Sequence, residues 1–270
     1  MKEHCCGVLS GAGPQVAALR AAVEAVSPLE GPVLLLGEIG VGKERIARCL
    51  HALSPGRELP LQLVDCSRSF EDELEGVLLG LESSGACYLA HCEELSPRLQ
   101  GWLAGYLSGS PSARVMMSSP RDLACFTRAG LYSKRLFDIF RDSRITVPPL
   151  RQRTRDLGRI IDYQAGKLEP SPGARTFSPE AFGALATYPW PGNYRQLEAE
   201  VQRVLRHGSG KIELQEVSPE IASFWIGGAE AAEIRRLHDG LGVESCRDEH
   251  RVGPGTGGGP SEAWQRDNGS

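Results

Sequence analysis

Between residues 11 and 150, short apolar runs alternate with stretches in which apolar residues return every three or four positions. The runs at 33–36, 61–64, 86–90, 113–118 and 144–147 are too short for helices and predict strands. The periodic stretches between them predict helices at 15–26, 45–51, 71–81, 97–107 and 123–131. In 97–107 the apolar stripe is Leu99, Trp102, Leu103, Tyr106 and Leu107. Strands that alternate with helices imply an α/β fold, a parallel five-stranded sheet between helical layers. Beyond Pro149 only the helical period survives, at 155–168, 179–188 and 193–207, which predicts a small second domain of helices. From 227 the composition turns glycine-rich, with a Gly/Pro cluster at 253–260, and no packed core is expected there. The organisation is therefore an N-terminal segment (1–10), an αβα domain (11–150), a helical lid (151–226) and a disordered tail (227–270).

The first strand runs straight into Gly37-Glu38-Ile39-Gly40-Val41-Gly42-Lys43-Glu44, and a helix follows. Glycines at these spacings let the backbone curl with its N–H groups inward. The helix N-terminus adds a positive dipole end, and Lys43 adds a point charge. Such a cup holds phosphate, and the flanking strand and helix raise the value of the motif over the bland reading of a glycine-rich turn ending in lysine. Glu44 stands where the general motif has a Ser or Thr hydroxyl for magnesium. The reading from residues alone is an ATP- or GTP-binding αβα domain with a helical lid.

Composition narrows the partners. A net charge of -4 over 270 residues gives no global attraction to nucleic acid. Arginines crowd between Arg121 and Arg159 but lie among acidic residues, as expected of a solvated or subunit-facing surface. No apolar run is long enough to span a membrane and the first residues lack a signal peptide's apolar stretch, so a cytoplasmic protein is expected. The 8 cysteines include no Cys-x-x-Cys pair and read as reduced, mostly buried thiols rather than a metal site.

Three segments fall in one order: the glycine loop with Ile46-Ala47-Arg48, then Val147-Pro148-Pro149-Leu150-Arg151-Gln152-Arg153, then Tyr188-Pro189-Trp190-Pro191-Gly192-Asn193-Tyr194-Arg195-Gln196-Leu197-Glu198. Together they resemble the AAA+ domain of the bacterial sigma-54-dependent, NtrC-type enhancer-binding activators, over about residues 8 to 221. In that family glutamate after the loop lysine is normal. The resemblance implies ATP or ADP held by Gly37, Glu38, Ile39, Gly40, Val41, Gly42, Lys43 and Glu44, with Arg195 as the sensor-2 arginine reaching from the lid. Asn193, read locally, caps the helix that begins at Tyr194.

The departures from the family bear on chemistry. The family's hydrolysis strand ends in Asp-Glu, and the aligned residues here are Ala90 and His91. Alanine offers magnesium no oxygen, so Mg2+ binding is left open and hydrolysis through this strand is expected to be lost. The switch asparagine corresponds to Asp65 and the sensor-1 asparagine to Pro120. The arginines inserted into a neighbouring subunit's site correspond to Ser133 and Ile139, with Lys134 and Arg135 nearby. The insertion between Glu75 and Gly85 that would carry the sigma-54-engaging signature is missing, and the second loop is cut to residues 108–113. No receiver domain is expected before residue 8. Leu241-Gly242-Val243 is too faint a helix-turn-helix signal for DNA reading.

Three readings follow. In the first the chain is a regulatory subunit that binds nucleotide without appreciable turnover, joining or poisoning rings of intact activators or meeting sigma-54 RNA polymerase. In the second it is a pure interaction module, and in the third an ATPase using residues such as His91, Glu93 or Glu94.

Overall fold

A computed structural model describes residues 7–83, 85–109, 111–168, 176–206 and 210–240. Five strands, β1 (Val33–Leu36), β2 (Leu61–Asp65), β3 (Ala86–Ala90), β4 (Arg114–Ser119) and β5 (Arg144–Thr146), form one parallel sheet in the order β2-β3-β4-β1-β5. The register places Leu36 beside both Ser119 and Thr146, and Asp65 beside Ala90. The ends of β1, β2 and β3 thus open on one edge, the usual position for a ligand in an α/β sheet.

Burial follows from the two-residue period of strands. Leu35 faces one core with Val33, Ile46, Ala47 and Leu50, while Leu34 faces another with Leu89, Leu103, Met117 and Phe140. Helices cover both faces: α1 (Pro14–Val26), α2 (Lys43–Ala52), α3 (Glu71–Leu79), α4 (Pro97–Ser108), α5 (Leu123–Arg128) and α6 (Lys134–Ile139). Their starts carry local signals. Ser96 caps α4 by accepting from the Leu99 amide, with Pro97 in the first position, and Asp122 caps α5 by accepting from the Ala124 and Cys125 amides.

The lid consists of α7 (Leu157–Leu168), α8 (Pro179–Thr187), α9 (Asn193–Arg206) and the start of α10 (Pro219–Gly240). Its core continues the first sheet core through Leu185, Trp190, Leu197 and Val201. Asp156, almost fully buried, accepts from the Ala12 and Gly13 amides at 2.8 Å each, and Arg153 donates to the Ser10 carbonyl at 3.0 Å. The lid's first turn therefore holds the start of α1.

The structure differs from the sequence expectations at three points. Residues 134–139 form α6, a helix too short to show a period. The expected helix 123–131 ends at Arg128. The disorder expected from 227 does not begin there, because α10 runs to Gly240. The composition turns glycine-rich overall from 227, but the Ala, Glu, Ile, Arg and Leu residues that come first are good helix formers. The compact unit ends at Gly228, and of the second unit, Ala229–Ser270, the described part is helical. Residues 241–270, including Leu241-Gly242-Val243, lie outside the described residues. No helix among the described residues is long and apolar enough to cross a membrane.

Candidate functional site

The loop between β1 and α2 curls as its glycines allow. Gly40 and Gly42 take φ of 79° and 95°, in the left-handed region. A Cβ on Gly40 would lie 2.2 Å from the Gly192 carbonyl oxygen, and one on Gly42 would lie 2.4 Å from Val8. Only glycine permits the lid and the N-terminal segment to come this close. The Arg195 amide then donates to the Gly40 carbonyl at 3.1 Å.

Lys43 opens α2 and folds back, its Nζ donating to the Gly37 carbonyl at 2.6 Å and the Glu38 carbonyl at 2.9 Å. Burial pulls its pKa down to about 8. The carboxylate of Glu93 opposes that fall, and the positive charge of Arg195 adds to it. Two cations from different domains thus lie at one cavity beside the glycine loop. They line a cavity of about 430 Å³ together with Gly40, Gly42, Asp65, Tyr88, Ala90 and His91, a volume within the range of small-ligand sites.

Glu38 does not face the cavity's chemistry directly. Its carboxylate receives both guanidinium nitrogens of Arg151, at 2.7 and 2.5 Å, and the Asn193 amide at 3.1 Å. These partners, Arg151 foremost, hold its pKa down at about 2. Asn193 is not the helix cap expected of it. Its φ of 53° and full burial aim the side chain away from α9: Nδ2 donates to Glu38 and to the Ile39 carbonyl at 3.0 Å, and Oδ1 accepts from the Leu150 amide at 2.9 Å. A helix cap needs an extended backbone, whereas this asparagine is left-handed. It ties the loop, the Pro-Pro-Leu turn and the lid together.

At the strand ends the Asp65 carboxylate is occupied by the Ser67 amide and hydroxyl, which hold its pKa below the usual range against the effect of burial. Tyr88 and Ser118 share a buried hydrogen bond of 2.8 Å under the cavity floor. Ala90 presents only a methyl group. His91 takes a φ of 56°, unusual for a residue with a side chain, and its Nδ1 lies 3.2 Å from Glu93 Oε1.

Pro120, Ser133 and Ile139 are not among the residues that line the cavity. Ser133 caps α6, accepting from the Leu136 amide, and Ile139 packs against the second core. Lys134 is paired with Asp138, and Arg135 donates to Ser108. Nor do the residues present fit a protein-held magnesium site, which needs hard oxygen donors. Glu44 is paired with Arg48, Asp65 is engaged by Ser67 and Ala90 has no donor. Among the described residues no group of three or more His, Cys, Asp or Glu could hold a metal ion.

Residues not foreseen as part of the site are Arg45, Tyr194 and Glu198. Arg45 bridges both Glu198 oxygens at 2.6–2.7 Å and sits 4.9 Å over the Tyr194 ring, bracing α2 against α9 beside the cavity. The helical spacing of Tyr194, Arg195 and Glu198 puts them near one face of α9, but nothing local reveals that Arg45 lies opposite.

Comparison with known proteins agrees with this arrangement. Residues 10–150 match the family described as Sigma-54 interaction domain, and residues 151–227 match the AAA+ ATPase lid domain. The transcriptional regulatory protein ZraR of Escherichia coli K12 is 29% identical over 260 residues, 84% of this chain and 59% of that protein. The Nif-specific regulatory protein of Azospirillum brasilense is 31% identical over 221 residues, 70% of this chain and 35% of that protein. The chain thus spans only part of the length of these relatives. The crystal structure of NtrX from Brucella abortus in complex with ATP shares the fold at a TM-score of 0.71 and 23% identity, covering 80% of this chain and 55% of that one. With a matching sheet domain followed by a matching lid, the chain belongs to the sigma-54 activator family of AAA+ proteins.

Proposed function

We propose that this chain is a regulatory member of its family that binds ATP or ADP and turns it over slowly or not at all. It would act in transcription by entering rings of intact activator subunits or by contacting sigma-54 RNA polymerase. The observation that carries the reading is the meeting of Lys43, Arg195 and the glycine loop around one cavity, where two like charges await an anion. Gly37, Glu38, Ile39, Gly40, Val41, Gly42, Lys43, Glu44 and Arg195 would form the nucleotide-holding set. Lys43 and Arg195 would balance phosphate charge and the loop amides would donate to phosphate oxygens.

Slow turnover is inferred from the other end of the cavity. Hydrolysis needs a group that orients water and one that organises the metal on the phosphates. Ala90 supplies neither, and the positions of the inserted arginines serve as a helix cap and a core side chain. The family's sigma-54-engaging loops have no room here: α3 passes to β3 through one 3₁₀ turn at Gly80–Ser83, and α4 ends at Ser108 just before β4 starts at Arg114. An altered mode of engagement follows, through shared rings or other surfaces.

Titration of the full chain with ATP and ADP tests the reading. Wild type should bind both, Lys43→Ala should lose about 100-fold in affinity or more, and phosphate release should stay near background. Equal affinity in wild type and Lys43→Ala would make the loop a remnant in an interaction module. Rapid phosphate release would make the chain a working ATPase.

A further inference from the structure

His91 is the one cavity-lining residue whose placement goes against the backbone's own preference. A φ of 56° costs free energy for a residue with a Cβ, and such conformations persist where the surroundings require them. Here the conformation sets the imidazole at the cavity wall, with its side chain 32% exposed, and lets Nδ1 reach Glu93 Oε1 at 3.2 Å. The Glu93 side chain is 2% exposed, and its second oxygen, Oε2, is buried with no hydrogen-bond partner. A buried carboxylate with a bare oxygen favours a cation beside it. The ring's other nitrogen, Nε2, is hydrogen-bonded to no protein atom among the described residues.

We propose that His91, positioned by Glu93, is a terminal-phosphate ligand that makes this site prefer a nucleoside triphosphate over the diphosphate, and more strongly as the imidazole takes up a proton. The inference rests on the nucleotide-binding reading given above. With Nδ1–H directed at Glu93, neutral imidazole presents a lone pair at Nε2, which repels a phosphate oxygen. The imidazolium presents an N–H there and donates a charge-assisted hydrogen bond.

Charged groups from several elements flank the ring. Glu93 lies on its own turn and Asp65 faces it from the end of β2. Lys43 and Glu44 of α2 and Arg195 and Glu198 of α9 complete the charged lining. Glu93 acts through His91 and is a positioning residue.

The experiment is titration of the full chain with ADP and ATP between about pH 5.5 and pH 8.5, across the histidine range. It compares wild type, His91→Asn and Glu93→Gln, with phosphate release followed in parallel. Asparagine tolerates the left-handed backbone, so His91→Asn keeps the turn while removing the ionisable group. ATP's own protonation is common to all three chains and cancels in the comparison. At about pH 6 the ratio of ATP to ADP affinity should be about tenfold higher in wild type than in His91→Asn, one charge-assisted hydrogen bond's worth. The two ratios should converge by about pH 8, with ADP affinity equal throughout. Glu93→Gln should lower the ATP-to-ADP ratio at about pH 6 toward that of His91→Asn with ADP affinity unchanged, which a merely structural role for Glu93 would not do.

Equal ratios in wild type and His91→Asn at every pH would overturn the proposal while leaving nucleotide binding intact. Phosphate release that grows with pH and vanishes in His91→Asn would make the ring a base and overturn it as well. If ADP binds wild type and Lys43→Ala alike, the underlying reading fails, and this inference with it.

Discussion

The corner where the glycine loop meets the lid and the edge where β2 and β3 end face each other across one cavity, yet they are built on opposite terms. At the corner each donor is paired with an acceptor from another segment: Asn193 Nδ2 with Glu38 and Ile39, the Leu150 amide with Asn193 Oδ1, Arg151 with Glu38, and the Arg195 amide with Gly40. At the strand ends there is a methyl group at Ala90, a carboxylate turned to its own turn at Asp65, and a histidine in a costly backbone conformation. On the proposed reading, holding a polyphosphate and cleaving it fall to separate parts of this architecture. The corner residues are also structural joints of the fold, whereas the Asp65 and His91 side chains form hydrogen bonds only within their own turns among the described residues. Side-chain substitutions at Asp65 and His91 should therefore cost the fold less than substitutions at the corner.

That contrast sets the order of expected effects. Asn193→Ala should be the most damaging, since it strips partners from the Leu150 amide and the Ile39 carbonyl and puts alanine in a left-handed conformation. A loss of about 3 kcal/mol in urea unfolding is expected. A loss of about 1 kcal/mol, the effect of a simple helix cap, would mean the corner is not the joint described. Alkaline titration has a smaller effect. Because Lys43 has a lowered pKa, its charge is present below about 8 and is lost as pH rises through that value. ADP affinity should be flat up to that pH and fall by about tenfold over the next unit. A flat profile to higher pH would remove Lys43 from the site's electrostatics.

Glu38→Gln should give the smallest change. Its folded pKa of about 2 lies below the ordinary value of 4.5. The pair's contribution is therefore fully present above 4.5 and disappears as pH falls toward 2. The side chains are 42% and 47% exposed, so solvent screens the pair and less than about 1 kcal/mol is expected. Urea midpoints of wild type and Glu38→Gln should differ at neutral pH and merge in acid.

Much of this was legible before any coordinates. Apolar runs such as Val33-Leu34-Leu35-Leu36, the glycine spacing ahead of Lys43, and the switch to helical periodicity after Pro149 are local signals, and the sheet, loop and lid follow from them. The hidden parts depend on distance or on φ. Asn193 reads as a cap because its neighbours suggest one; its left-handed backbone and its bond to Leu150, 43 residues away, leave no local trace. The Arg45–Glu198 brace spans 153 residues. His91 and Glu93 stand two apart in sequence, and only the turn between them brings ring and carboxylate together. Helix α6 is too short for a period, and the glycine-rich composition from 227 disguised the continuation of α10.

The close packing of Gly40 against Gly192, with the Arg195 amide already bonded to the loop, bears on how quickly a ligand is captured. A loop clasped in this way has little left to order when a nucleotide arrives. Association in stopped-flow should therefore rise linearly with ligand concentration in a single phase, with no slow step that saturates.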